Sequence, residues 1–78
     1  MDCNIRLRSF EDVRALADLA TALPFRVWIS DGHREADARS LMCMFSLDLR
    51  EPLALHAECS AEASEALLSL LGDFVSNE

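Results

Sequence analysis

The spacing of apolar residues switches repeatedly along this chain between every second residue and the period of a helix, and this switching most constrains the fold. Apolar and polar residues alternate over Asp2–Arg8, which is typical of a half-buried strand. Ser9 then has the chemistry of a helix N-cap, and apolar residues follow at helical spacing over Val13–Leu23. Pro24 ends that pattern, because proline disfavours the helical conformation in the residue before it. The chain therefore begins with a strand and a capped helix.

The middle of the chain repeats the switch from strand to helix, with a hairpin inserted. Alternation over Phe25–Ile29 predicts a second strand, and Ser30–Gly32 is a turn sequence whose glycine can take a positive φ. A short third strand is expected over His33–Ala36. We expect Asp37 to cap a short, mostly apolar helix over Ala38–Phe45.

The C-terminal third predicts one more strand and one more helix. After a connector at Asp48–Pro52, alternation over Leu53–Cys59 predicts the strand, and Ser60 is expected to cap the helix. The apolar stripe of that helix, which Gly72 interrupts, comprises Ala63, Ala66, Leu67, Leu70, Leu71, Phe74 and Val75. The order is thus βαββαβα in a single domain, residues 1–78. The simplest packing that buries the apolar face of every element is a four-stranded antiparallel sheet with three helices on one side. This arrangement is an α+β open-faced two-layer sandwich.

The charge balance and the cysteines limit the classes of partner and compartment. Seven Arg and no Lys stand against fourteen Asp and Glu, a net charge of −7, which disfavours nucleic acid and anionic lipid as partners. No apolar run approaches the roughly 18 residues of a membrane span, and charged residues interrupt the start where a signal peptide would be apolar. Three Cys without a CxxC pair favour reduced thiols. We therefore expect a cytoplasmic protein without membrane insertion.

The element order and one serine-bearing segment resemble the HPr family, the histidine-containing phosphocarriers of the bacterial sugar phosphotransferase system. Asp37–Leu47 is similar to the family's pattern of Lys-Ser, a large aliphatic residue, Met, a small residue, two apolar residues and Ser-Leu. Ser40 falls at the position of the regulatory serine. The resemblance implies that Ser40 can be phosphorylated and that the helix around it binds partner proteins. The partner-binding candidates on this segment are Arg39, Leu41, Met42 and Phe45.

The start of the first helix departs from the family's pattern. Counting back from Ser40 without a gap puts Ser9 at the position of the phospho-accepting His, Glu11 at the Arg that holds the phosphoryl group and Asp12 at the following Pro. A phosphocarrier needs a labile phosphoryl bond, whereas a serine phosphate is a stable ester, and two carboxylates repel a phosphate. We therefore expect no catalytic residue here and no enzymatic activity.

Each candidate residue also has a purely structural interpretation. Ser40 can be an ordinary first-turn serine, and Leu41, Met42 and Phe45 can complete the core instead of forming a docking surface. Trp28 is expected on the open face of the sheet, as a contact anchor or as a solvated partner of nearby cations. The side chains expected around it are Arg6, Arg26 and His56.

No motif points to a metal, a cofactor or a hydrolase. His56 and Cys59 would point to opposite faces of one strand, and the sequence has no GxSxG motif and only two glycines. The leading hypothesis is a non-catalytic, HPr-like regulatory or protein-interaction domain. The alternatives are a divergent phosphocarrier with an unusual acceptor, and a small structural or assembly module that pairs through the open sheet face or the Met-rich helix. The protein partner and the oligomeric state stay open.

Overall fold

In a computed structural model that describes residues 1–72 and 74, strands and helices follow one another in the predicted βαββαβα order. The strands are β1 (Asp2–Ile5), β2 (Val27–Ser30), β3 (Glu35–Asp37) and β4 (Leu53–Ala57). The helices are α1 (Phe10–Ala22), α2 (Leu41–Phe45) and α3 (Ala61–Leu70). The type and the order of the predicted elements are confirmed.

The strands form one antiparallel sheet in the order β1-β4-β2-β3. The register aligns one residue of each strand in a row across the sheet, namely Asp2, His56, Trp28 and Asp37. Leu55, the neighbour of His56 along β4, is fully buried. Because successive side chains of a strand point to opposite faces, the row marks the open face of the sheet.

The apolar residues of the strands and helices pack into one core on the other face of the sheet. Ile5, Ile29 and Leu55 from the strands and Leu16 and Met44 from the helices are completely or almost completely buried. No polar or charged side chain among the described residues is buried with them. The predicted α+β sandwich, with its helices on one side of an open sheet, is therefore confirmed.

Serine hydroxyls cap the starts of α1 and α3, as predicted. The Asp12 N–H donates to Ser9 Oγ at 3.2 Å, and the Ala63 N–H donates to Ser60 Oγ at 3.2 Å. Each hydroxyl satisfies a backbone N–H that has no partner inside the helix.

The cap predicted for α2 is wrong, because Ser40 and not Asp37 begins this helix. The Cys43 N–H donates to Ser40 Oγ at 3.4 Å, whereas Asp37 is the last residue of β3 and lies opposite Trp28. The Asp37 carboxylate accepts the Arg39 N–H at 2.9 Å, which stabilises a turn between strand and helix. Pairing with β2 thus keeps the chain extended through Asp37, and α2 starts later than predicted.

The turn between β2 and β3 has the predicted glycine conformation but is longer than predicted. Gly32 has a φ of 94°, a region that glycine enters without steric cost. The N–H groups of His33 and Arg34 each donate to Asp31 Oδ1 at 2.8 Å. These two residues therefore belong to the turn, and β3 starts at Glu35 instead of His33.

β1 and β4 are shorter than the alternation of their residues predicts. β1 ends at Ile5, the last of its residues that pairs with β4. The next N–H, that of Arg6, donates to the Phe74 carbonyl at 2.7 Å instead. β4 ends before Cys59, which directly precedes the helix cap Ser60. Alternation alone therefore overestimates strand length where a bond or a cap redirects the backbone.

α3 buries only part of its predicted apolar stripe. Leu67, Leu71 and Phe74 are buried, and Gly72 lies beyond the end of the helix. The predicted stripe members that are exposed or only partly buried are Ala63, Ala66 and Leu70. Since the helix ends at Leu70, residues after it no longer follow the helical period. Val75 lies outside the described residues.

Candidate interaction site at the starts of the first two helices

The start of α1 satisfies its backbone with its own side chains. The Asp12 N–H donates to Ser9 Oγ, and the Arg8 N–H donates in return to the Asp12 carboxylate at 2.9 Å. Glu11 adds a second carboxylate to the same exposed turn. A helix start usually attracts anions through free N–H groups and the helix dipole. Here the Asp12 N–H is already bonded to Ser9, and the two carboxylates disfavour the binding of a phosphate.

An aromatic stack lies beside this helix start. The rings of Phe10 and Phe45 are stacked, with centroids 5.4 Å apart and an interplanar angle of 18°. Phe10 is 56 % exposed and Phe45 is 42 % exposed. Met42, three residues before Phe45 on α2 and so its neighbour on the helix surface, is 82 % exposed. We call Phe10, Met42 and Phe45 the aromatic patch.

The exposure of Met42 and Phe45 argues against the interpretation that these side chains complete the core. That role belongs to Met44, which is fully buried. Leu41 is half-buried and packs against the core, so it borders the aromatic patch and does not form its centre. The contribution of Phe10 is missed by the sequence analysis. Its one signal is a large apolar side chain between the polar Ser9 and Glu11 of an exposed first turn.

The rim of the aromatic patch is built from capping and turn residues. Ser40 lies at the N-cap of α2 rather than within its first turn, and its hydroxyl accepts the Cys43 N–H. The exposed Arg39 guanidinium reaches Asp37, with Nε 3.5 Å from Oδ1. The hydrogen bond from the Arg39 N–H lowers the pKa of Asp37, and the Arg39 guanidinium lowers it further. The cation of Arg39, next to Ser40 in the sequence, is therefore shared with a carboxylate.

Asp31 fixes the position of the chain that leaves α2. Its Oδ2 accepts the Asp48 N–H at 3.0 Å, while its Oδ1 accepts the N–H groups of His33 and Arg34. These bonds, with that from Asp48 first, lower the pKa of Asp31 to about 2. Asp48 in turn pairs with Arg50, whose Nε lies 3.0 Å from Oδ1. One partly exposed carboxylate thus joins the β2–β3 turn to the end of the α2 segment.

Trp28 lies on the open face of the sheet, away from the helices that carry the aromatic patch. The Arg26 guanidinium carbon is 5.3 Å from the Trp28 ring centroid, and the His56 ring stacks on Trp28 at 5.7 Å. His56 Nδ1 is hydrogen-bonded to the Asp2 carboxylate. Arg6, also expected around Trp28, donates from Nη2 to the Arg50 carbonyl at 3.4 Å. Trp28 and the aromatic patch are therefore two separate surfaces.

Other kinds of site find little support in the described part of the chain. Residues 1–72 and 74 contain no group of three His, Cys, Asp or Glu side chains that could hold a metal ion. They also form no pocket, and Cys3, Cys43 and Cys59 are free thiols. None of the three helices found there has the length and apolar character of a membrane span.

Comparison with known proteins identifies the fold. No family model matches the chain, and no curated protein sequence matches it. A crystal structure titled HPr-C-His from Thermoanaerobacter tengcongensis has a similar structure, with a TM-score of 0.71. The two are 21 % identical, and the match covers 92 % of this chain and 91 % of that chain. The chain therefore has an HPr-like fold, the βαββαβα α+β sandwich.

Proposed function

We propose that this protein is a regulatory, protein-binding domain related to the bacterial phosphotransferase system, acting in the cytoplasm without His-based phosphotransfer at the start of α1. The observation that carries this proposal is the exposed Phe10–Phe45 stack beside a self-capped helix start. By the resemblance, the start of α1 lies where a phosphocarrier would accept its phosphoryl group. The HPr-like fold supports the relation to that family, although fold alone does not determine function.

The chemistry at Ser9 disfavours phosphotransfer. Its hydroxyl already accepts the Asp12 N–H, and no imidazole lies in the first turn of α1. An incoming phosphoryl group would meet the carboxylates of Glu11 and Asp12 in place of a guanidinium. Like charges at close range raise the free energy of such a complex. Ser9 and Glu11 therefore stand in place of the His and the Arg that the resemblance assigns to the transfer.

The aromatic patch instead suits protein binding. A contiguous patch of large exposed apolar side chains is typical of a contact surface, and Phe and Met are enriched in the cores of interfaces. The polar rim of Glu11 and Arg39 gives the patch the apolar centre and polar border of such a surface. Ser40 lies on the same rim, where phosphorylation would add about two negative charges. The partner is therefore expected to bind differently to the two forms.

A direct test captures partners from a lysate of the organism that encodes the protein, followed by measurement of binding with each purified partner. Phe10→Ala should weaken binding by about tenfold or more, as truncation of an aromatic anchor at an interface does. Leu70→Ala on α3 is the matched control, because Leu70 is 55 % exposed, close to the value for Phe10. A partner that loses affinity equally in both variants, or in neither, would contradict a docking role for the aromatic patch.

A divergent phosphocarrier is the second candidate, because the fold is that of an HPr structure. Incubation with phosphoenolpyruvate and enzyme I, followed by intact mass measurement and peptide mapping, distinguishes it from the proposed function. We expect no phosphoryl group on Ser9. Rapid and complete labelling of Ser9 would favour the phosphocarrier. A structural module, the third candidate, would instead show a concentration-dependent solution mass without a second protein.

A further inference from the structure

The β1 edge of the sheet has backbone groups without a hydrogen-bond partner in the described part of the chain. The Met1 nitrogen donates to the Ala57 carbonyl, and the Ala57 N–H donates to the Met1 carbonyl, both at 2.9 Å. Such reciprocally bonded pairs occur at every second residue of an antiparallel ladder. The N–H and carbonyl groups of Asp2 and Asn4 therefore point away from β4, towards solvent.

The next outward N–H along the chain is already bonded. The Arg6 N–H donates to the Phe74 carbonyl at 2.7 Å, so Phe74 closes the edge at this point. The open part of the edge is thus limited to Asp2 and Asn4. Unpaired groups at a sheet edge can pair with a further strand, and β1 has neither the Lys nor the Pro that often prevents this.

The opposite edge, β3, is less suited to a further strand. It has only three residues, Glu35–Asp37, and its two outward-facing residues both carry carboxylates. The Asp37 carbonyl also accepts the Ser40 N–H at 3.0 Å. Short and charged edges resist strand addition, so β1 is the edge that can take a partner.

A second copy of the chain fits the β1 edge in one register. Antiparallel pairing about a two-fold axis places the outward groups of both copies opposite one another. Asp2 opposite Asp2 would bring two carboxylates together. Asn4 opposite Asn4 would bring Asp2 against Arg6, whose N–H is bonded to Phe74. The remaining register pairs Asp2 of each copy with Asn4 of the other and places the two Cys3 residues at the centre.

This register is complementary in charge as well as in backbone bonding. Each pair of Asp2 with Asn4 exchanges two backbone hydrogen bonds, and both side chains are exposed. Asp2 Oδ1 is bonded to His56 Nδ1, so Oδ2 can accept from the Asn4 side-chain amide of the second copy. Two chains of net charge −7 thus meet without placing like charges opposite each other.

We propose that two copies of this protein associate through antiparallel pairing of their β1 strands, which joins the two sheets into one. The dimer goes beyond the proposed function, because α2, which supplies Met42 and Phe45 to the aromatic patch, packs against β3 at the other edge of the sheet. A contact made by one short strand buries little area, so the association is weak and depends on protein concentration.

The solution mass of the purified full chain, measured by analytical ultracentrifugation from about 10 μM to 1 mM, tests the proposal. We expect the mass to rise from one chain towards two. Asn4→Pro removes an outward N–H from each copy, and with it half of the bonds between the copies, while the bonds to β4 are kept. It should abolish the rise in mass.

A charge variant provides a second test that does not depend on proline. Asn4→Asp places a new carboxylate opposite Asp2 of the other copy at both pairs, and should weaken the dimer by about tenfold or more. Asn4→Gln keeps a neutral amide and is the matched control, which should dimerise like the wild type. Thermal melts verify that each variant keeps its fold.

Cys3 reports the register directly. Opposite residues at the central, non-bonded position of an antiparallel pair have Cα atoms about 4.5 Å apart, within the range of a disulfide. Diamide accepts the two electrons and two protons that two thiols lose when they join. It should link Cys3 to Cys3, although Cys43 is the more exposed thiol. Cys3→Ser should remove the linked dimer, and Cys43→Ser should leave it.

The measurements distinguish this dimer from the other candidate roles. The mass of one chain at every concentration, a dimer unchanged in Asn4→Asp, or links through Cys43 alone would overturn the proposal. A dimer lost in Met42→Ala or Trp28→Ala but kept in Asn4→Pro would overturn it too, in favour of a module that pairs through α2 or the open sheet face. Phe10→Ala should leave the dimer unchanged, so the proposed partner binding is tested independently.

Discussion

The rings of Phe10 and Phe45 stack on each other across the gap between α1 and α2, joining the first residue of one helix to the last residue of the other. Both rings remain largely exposed. Their contact therefore fixes the relative position of the two helix ends without removing the aromatic surface from solvent.

The stack should contribute measurably to stability. A double-mutant cycle with Phe10→Ala and Phe45→Ala should give a coupling energy of about 0.5–1.5 kcal/mol, the range of paired aromatic rings. Denaturant unfolding of the two single variants, the double variant and the wild type measures it. Leu68→Ala combined with Phe10→Ala is the control, since Leu68 is similarly exposed but lies on α3. A coupling energy near zero for the two Phe residues would show that the stack is incidental.

Truncation of the two methionines on α2, Met42 and Met44, should affect stability very differently. Met42→Ala should change the free energy of unfolding by no more than about 0.5 kcal/mol, as is usual for exposed positions. Met44→Ala should cost about 2–5 kcal/mol, because Met44 is fully buried and its loss leaves a cavity. Thermal and denaturant melts of both variants provide the comparison. A large loss in Met42→Ala would place that side chain in the core and contradict its role in docking.

The sequence predicted the fold well because the hydrophobic periods determine which faces of each element are buried. The caps at Ser9 and Ser60 were predicted because an N-cap hydroxyl acts within one turn of its own residue. Asp37 was assigned wrongly since two local structures compete there. A turn and a helix cap use the same carboxylate, and pairing with Trp28 on another strand decides between them.

The candidate site was less predictable, because its residues come from distant segments. Phe10 and Phe45 meet only once α1 and α2 are packed, and no local pattern encodes that contact. Likewise, Asp2 and His56 become partners through the register of β1 with β4. Residue types therefore indicated where to look, while the tertiary contacts decided which side chains form a surface.

The cap of α1 should be a stabilising feature and not a reaction centre. Ser9→Ala should lower the free energy of unfolding by about 0.5–2 kcal/mol, because the Asp12 N–H loses its acceptor. Ser69→Ala, at an exposed position of α3, should not destabilise the protein, since alanine has the higher helix propensity. A loss in Ser9→Ala within the error of the measurement would remove the capping role.

Substitution at Ser40 should separate capping from charge. Ser40→Ala should cost about 0.5–2 kcal/mol, whereas Ser40→Asp should keep most of the stability because aspartate is also a good N-cap. Ser40→Asp adds one negative charge beside the aromatic patch, fewer than the roughly two of a phosphate. It should weaken binding of an acidic partner and strengthen binding of an Arg-bearing partner. Identical affinities of Ser40→Asp and wild type for every captured partner would argue against charge regulation at this rim.

Asp31 should make the protein sensitive to acid in a defined range of pH. Its pKa is lowered from 3.8 to about 2 in the folded state by the N–H groups of Asp48, Arg34 and His33. A lowered folded-state pKa means that the ionised carboxylate stabilises the fold, fully above pH 3.8 and progressively less as the pH falls towards 2. Asp31→Asn should therefore be less stable than the wild type at neutral pH.

The difference in unfolding free energy between the wild type and Asp31→Asn should shrink as the pH falls between these two values. Denaturant melts at a series of pH values measure it. Asp18→Asn, at an exposed position of α1, is the control for the general effect of removing one negative charge. If the wild type and Asp31→Asn differ by the same amount at every pH, the bonds to Asp31 do not depend on its ionisation. The carboxylate would then not be what holds the end of the α2 segment against the β2–β3 turn, and the position of the aromatic patch would depend on packing alone.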